Sequence, residues 1–127
     1  MKLALDTNRY SDLMRQLPEA IDVVASADSI FIPFIVLAEL RYGFLKGGRA
    51  RDNEAKLQRF IAEAGVDILW PSETTVDVFA SLKLQLRKQG TPIPDHDLWI
   101  ASLVLPLGIA LYHRDGHFKH VPQLRQI

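Results

Sequence analysis

The sequence predicts a three-layer α/β/α sandwich around a central, mainly parallel sheet. Short apolar runs alternate along the chain with stretches of helical periodicity, the pattern of strand–helix–strand units. Those runs are apolar throughout rather than every second residue, as expected of strands covered on both faces. The length, 127 residues with 48% apolar and 24% charged, suits a soluble globular chain able to bury a core. No repeat, low-complexity tract or linker interrupts it, so residues 1–127 read as a single domain.

Leu3-Ala4-Leu5 is the first strand, running into Asp6-Thr7-Asn8 and a helix with Tyr10, Leu13, Met14 and Leu17 on one face. Pro18 opens a short helix with Ile21, Val24 and Ala25 inward. Ser29–Ile32 is the second strand, ended by Pro33. Ile35, Leu37, Leu40 and Phe44 give Phe34–Lys46 a helical period, stopped by Gly47-Gly48. A more polar helix runs from about Arg51 to Glu63, and Val66–Trp70 is the third strand. Pro71-Ser72, with Ser72 as N-cap, starts a helix carrying Val76, Phe79, Leu82 and Leu86. Gly90-Thr91-Pro92-Ile93-Pro94 is a rigid loop before the apolar helix Asp95–Leu105. Ile109–Tyr112 is the fourth strand, and Val121–Ile127 reads as a fifth.

Composition excludes several chemistries. There is no cysteine, hence no disulfide scaffold, thiol nucleophile or Cys-based zinc site. A cytoplasmic location fits that absence. Fifteen Lys and Arg balance fifteen Asp and Glu, so bulk positive charge does not drive any nucleic-acid binding. No segment approaches the roughly 20 apolar residues that span a bilayer. The apolar start of the chain stops at Asp6, too soon for a signal peptide, and no membrane association is expected.

Four acids stand out. Asp6 ends the first strand and Asp115 follows the fourth, which puts both at the carboxyl edge of a parallel sheet, where open α/β sheets bind ligands. Asp97 lies in the first turn of an apolar helix, and Glu39 sits among Val36, Leu37, Ala38 and Leu40. Each has a plain structural reading. Asp6 caps a helix, Asp95 caps another with Asp97 complementing its dipole, Asp115-Gly116 is a turn, and Glu39 points outward beside Arg41. Taken together they suggest something else, because clustered carboxylates repel and are tolerated around a divalent cation. An all-oxygen set suits Mg²⁺ or Mn²⁺ and phosphodiester hydrolysis. Thr7 and Asn8 are placed to orient Asp6 or a water at the metal.

Four segments, in order across nearly the whole chain, resemble the PIN-domain family, and most closely its VapC-like toxins. They are Leu5-Asp6-Thr7-Asn8, then Val36–Gly43 around Glu39, then Gly90–Ala101 around Asp97, then Ala110–Asp115 followed by Phe118. The resemblance implies that Asp6, Glu39, Asp97 and Asp115 are the metal-binding and catalytic acids. It also implies RNA cleavage with Mg²⁺ or Mn²⁺, products with a 5′ phosphate and a 3′ hydroxyl, neutralisation by a cognate antitoxin, and a homodimer. One position departs from the pattern. Two residues before the fourth acid the family usually has Thr or Ser, and here stands His113. Asp95 is an additional carboxylate beside the third acid, either a cap or an auxiliary ligand.

Two competing functions have sequence handles. An Asp-nucleophile phosphatase wants a second acid where Asn8 stands. A non-catalytic PIN-like module binding RNA or protein fits the His113 departure and not the complete acid set. His113, His117 and His120 can share a helical face, but ordinary loop histidines are the expectation over a zinc site. Arg41, Lys46 and Arg49 begin a basic stretch that either lines an RNA path or is a solvated helix face. Trp70 and Trp99 are expected in the core. The apolar side chains of Ile35–Leu45 and Val76–Leu86 are core by default, with a dimer seam or antitoxin groove as the alternative.

Overall fold

The first apolar run forms β1 (Lys2–Leu5), and its Leu3, Ala4 and Leu5 are fully buried in the computed structural model, which describes residues 1–127. It is joined by β2 (Ser29–Pro33), β3 (Asp67–Leu69) and β4 (Ala110–Tyr112). The sheet order is β3-β2-β1-β4 and every pair is parallel, with Leu3 opposite both Ile30 and Ala110. Six helices pack around it: α1 (Thr7–Met14), α2 (Pro18–Ala25), α3 (Phe34–Lys46), α4 (Ala50–Glu63), α5 (Glu73–Gln89) and α6 (Asp95–Val104). The chain steps outward from β1 through β2 to β3, then returns across the sheet to β4. Right-handed crossovers therefore put α1 to α4 on one face and α5 with α6 on the other. The packing of α3 on α4 and α1, and of α5 on α6, agrees with that division.

The return makes a switch point between β1 and β4, where the crevice at the carboxyl edge of such a sheet opens. Three short links bring the acids there. The Asp6 N–H donates to Tyr112 O at 3.1 Å, extending the β1–β4 ladder by one residue. Helix α3 begins directly after β2, so its early turns lie at the same edge. Helix α6 runs down to β4 through only a 3₁₀ turn, Leu105–Leu107, so its N-terminus lies at that edge too. At the end of α5, Gly90 closes the helix at φ 75°, a conformation that L side chains rarely adopt. The Pro-rich loop follows.

Several local expectations need correction. Val121–Ile127 is no strand: a single parallel bridge, Leu111 to Gln126, joins it to β4. Only three residues of β4 offer an edge, and Pro122 has no N–H to contribute. In α2 the buried residue is Ala20, while Ile21 and Ala25 face solvent. Met14 and Leu17 are also exposed. Strand β3 stops at Leu69, leaving Trp70 66% exposed and stacked on Phe34 with ring centroids 6.2 Å apart. Trp99 is half-buried and stacks on Phe79 rather than lying in the core. Asp95 is not the N-cap of α6. Pro94, with φ −57° and ψ 146°, holds that position, and Asp95 is the first helical residue.

A buried ion-pair cluster ties α1 to the segment after β4. Asp12, 3% exposed, accepts from Arg9 at 3.2 Å and from Arg114 at 3.1 Å, and Arg9 lies over the Tyr112 ring. Asp12→Ala strands the Arg9 guanidinium in a largely desolvated place. The expected cost is about 2–3 kcal/mol, below the usual figure for breaking a buried pair because Arg114 is half solvated. Urea unfolding checks it, and a loss under about 0.5 kcal/mol would show the cluster to be energetically idle.

Candidate functional site

The four acids meet. Asp6, the N-cap of α1, is buried and accepts from the Thr7 N–H at 2.8 Å. Across the edge Glu39 accepts from the Thr7 hydroxyl at 3.3 Å, so one threonine holds two carboxylates. Asp97, in the first turn of α6, is 1% exposed, and each of its oxygens faces an imidazole. His96 Nε2 stands 3.0 Å from Oδ1 and His117 Nδ1 stands 2.8 Å from Oδ2. Asp115 caps the 3₁₀ turn Gly116–His120, accepting from the His117 N–H at 2.9 Å. The His117 ring then folds back to 3.1 Å from the same Asp115 oxygen.

Electrostatics show how crowded this negative charge is. Burial pushes the Asp6 carboxyl above its ordinary value, the Thr7 hydrogen bond offsets part of that, and Asp97 and Asp115 push it further up. Burial likewise raises Glu39, with Asp6 and Asp97 adding to the shift and His96 opposing it. The hydrogen bond to Asp97 raises the His117 imidazole, reinforced by Asp115. Glu39 Oε1 is buried with no hydrogen-bond partner. A buried carboxylate oxygen left unpaired is costly, and a cation among these groups would relieve it. Asp97, Asp115 and His117 each present one ligand atom within 4.8 Å of the others, a donor set suited to one metal ion.

His113 occupies the position where the family pattern has a hydroxyl, and it does a hydroxyl's work. Its Nδ1 accepts from the Asp115 N–H at 3.0 Å, the bond to residue i+2 that a Thr or Ser oxygen makes in a turn. That leaves its proton on Nε2, which donates to Gln126 Oε1 at 2.7 Å. Gln126 in turn donates to Phe118 O at 2.9 Å. The acid loop is thus laced to the last residues of the chain. His113→Ala is expected to lower any activity of the site about tenfold by loosening Asp115, while His113→Asn keeps an acceptor and recovers most of it. Equal loss in both variants would remove this positioning role.

A model of the PIN domain matches residues 3–124. The chain belongs to the PIN-domain family. Relatives of this PIN domain include ribonuclease VapC2 of Rickettsia felis, 30% identical over 125 residues, covering 94% of this chain and 92% of the relative. Ribonuclease VapC1 of Haemophilus influenzae strain R2866 is 30% identical over 126 residues, covering 95% and 92%. Among solved structures, VapBC2 of Rickettsia felis bound to a promoter DNA fragment superposes with a TM-score of 0.85 at 28% identity, over 100% of this chain and 98% of the other. VapBC-1 of nontypeable Haemophilus influenzae gives 0.87 at 28% identity, over 100% and 97%.

Within this PIN domain not every residue singled out from the sequence reaches the site. Asn8 is exposed on α1, and Asp6 is bonded through Thr7 instead. Asp95 pairs with Lys83 of α5 at 3.0 Å on the surface, so it serves as neither cap nor neighbour of Asp97. Arg41 makes a two-point pair with Glu54, at 3.0 and 3.2 Å, which fastens α3 to α4. Lys46 lies over the Tyr42 ring, and Arg49 is exposed at the start of α4. His117, expected to be an ordinary loop histidine, stands instead against Asp97 and Asp115. Its sequence signal was its place two residues after Asp115, which matters only because a 3₁₀ turn reverses the chain there.

Proposed function

We propose that this PIN domain is a divalent-metal endoribonuclease, the toxin of a VapBC-type pair, cutting RNA with Mg²⁺ or Mn²⁺ and held by a cognate antitoxin. The observation that carries the proposal is the convergence of Asp6, Glu39, Asp97 and Asp115, from four separate segments, at the switch point between β1 and β4. Both compared relatives are named ribonucleases, and both compared structures carry VapBC names. The donor chemistry fits the ion, and the orphaned Glu39 oxygen is the place in this structure that most wants one.

Asp97, Asp115 and the unpartnered Glu39 oxygen, with Asp6 beside them, would hold the ion. When bound, it supplies an activated water and charge stabilisation for the leaving oxygen. The chain does the rest. Thr7 sets the distance between Asp6 and Glu39. Glu39, its carboxyl raised by burial, is suited to taking a proton from an attacking water. Without the ion His117 Nδ1 holds one Asp97 oxygen, and His96 Nε2 stands 3.0 Å from the other. Lys46 and Arg49 would steer phosphate weakly, since Arg41 is occupied by Glu54.

Exposed apolar side chains support the partner half of the proposal. Tyr42 (65% exposed) and Leu45 (78%) on α3, and Val76 and Leu84 on α5, leave surface for a second copy and for an antitoxin segment. The test is incubation of purified chain with total small RNA in Mg²⁺, Mn²⁺ or EDTA. Discrete metal-dependent fragments are expected. Intact RNA from folded protein with both metals would overturn the enzymatic reading.

A further inference from the structure

We propose that His117 is a ligand of the divalent ion, giving this site a nitrogen donor beside Asp97 and Asp115 and a preference for Mn²⁺ over Mg²⁺. The inference rests on the metal reading above and adds a residue to it.

The geometry carries the argument. His117 Nδ1 lies 2.8 Å from an Asp97 oxygen and 3.1 Å from an Asp115 oxygen. A single ring nitrogen has one proton at most, so it cannot donate well to both. Adjacent donors on one six-coordinate ion, with bonds of about 2.1 Å, stand about 3.0 Å apart, which is the spacing found here. The other Asp115 contact is already made by the His117 N–H, so the turn itself brings the ring in. The side chain is half solvated, so the ring is free to adjust its angle when an ion enters between it and the two carboxylates.

A second observation points the same way. Glu39 Oε1 remains buried and unpartnered although His117 is bonded to Asp97, so the protein's own groups do not complete the site and an ion would. Mg²⁺ favours oxygen ligands and keeps its waters, whereas an imidazole donor favours transition ions. An imidazole in the ligand set therefore favours Mn²⁺ in the competition between the two ions.

The experiment is Mn²⁺ and Mg²⁺ titration calorimetry on wild type, His117→Ala, His117→Asp and His96→Ala, with electron spin-echo envelope modulation of the Mn²⁺ forms. The wild type should show modulation from a directly bound ¹⁴N, lost in His117→Ala and kept in His96→Ala. Mn²⁺ affinity should fall about tenfold or more in His117→Ala, with Mg²⁺ affinity changing less than about threefold. His117→Asp should bind both ions with the Mn²⁺ preference reduced. Mn²⁺ binding with no ¹⁴N modulation, or with modulation that survives in His117→Ala, would overturn the role of His117 and leave the metal reading standing. Failure of the wild type to bind Mn²⁺ at all would overturn both. Thermal melts of the half-exposed variants confirm folding.

Discussion

Asp97→Asn is expected to abolish metal-dependent RNA cleavage, by roughly 10²-fold or more, while the protein stays folded. The carboxylate is buried at the N-terminus of α6, and both of its oxygens are acceptors facing imidazole nitrogens. The amide preserves the shape. It replaces one acceptor by a donor and removes the charge that pairs with a cation, so the site loses its centre. The alternative role of Asp97 is to complement the helix dipole, a term worth only about 0.3–1 kcal/mol. The two roles therefore predict different things. A ligand loses activity with melting nearly unchanged, and a dipole partner loses a little stability with activity intact. Cleavage within about threefold of wild type would sink the assignment of Asp97 to the chemistry.

Glu39→Gln is expected to stabilise the metal-free protein, by about 1 kcal/mol, and to remove most of the stabilisation that Mn²⁺ confers. Glu39 and Asp6 both have carboxyls raised above their ordinary values of 4.5 and 3.8. A raised folded-state value means that the native protein binds more protons than the unfolded chain between the two values. Stability therefore falls as pH rises from 3.8 and 4.5 upward, until each group's raised folded-state value is passed. The His117 imidazole, also raised, adds stability below its ordinary 6.5 that is lost as pH rises through its folded value. All three make the metal-free protein gain on mild acidification. The useful readout is the difference between wild type and Glu39→Gln in EDTA, followed by thermal unfolding from neutral pH downward. That difference should shrink as Glu39 protonates. A variant no more stable than wild type at neutral pH, with an unchanged Mn²⁺ response, would show that Glu39 carries no repulsion and takes no part in binding.

Much of the site was legible along the chain because its acids announce themselves by context. Asp6 and Asp115 follow apolar runs, Glu39 interrupts an apolar helix, and Asp97 opens another. Asp95 misled for a local reason: an acid after Pro94 looks like a cap, but the proline's own fixed φ lets it take the boundary. Ile21 misled because a helix of two turns offers two plausible apolar stripes, and only the neighbours decide which is buried. The roles of His117 and Asp12 do not show along the chain for a different reason. Each acquires its meaning from a partner distant in sequence, Asp97 at twenty residues and Arg114 at over a hundred.

The order of short buried strands and helices, the parallel sheet and the place of Asp6 and Asp115 at its edge were determined by the sequence by itself. Burial and periodicity are local properties that a run of side chains carries with it. Tertiary structure alone decided what stands around those acids: two imidazoles on Asp97, one hydroxyl between Asp6 and Glu39, and a histidine from beyond β4 holding the Asp115 loop to Gln126. Hydrogen bonds of about 3 Å depend on where separate elements come to rest, and that depends on packing of the whole core rather than on any one segment.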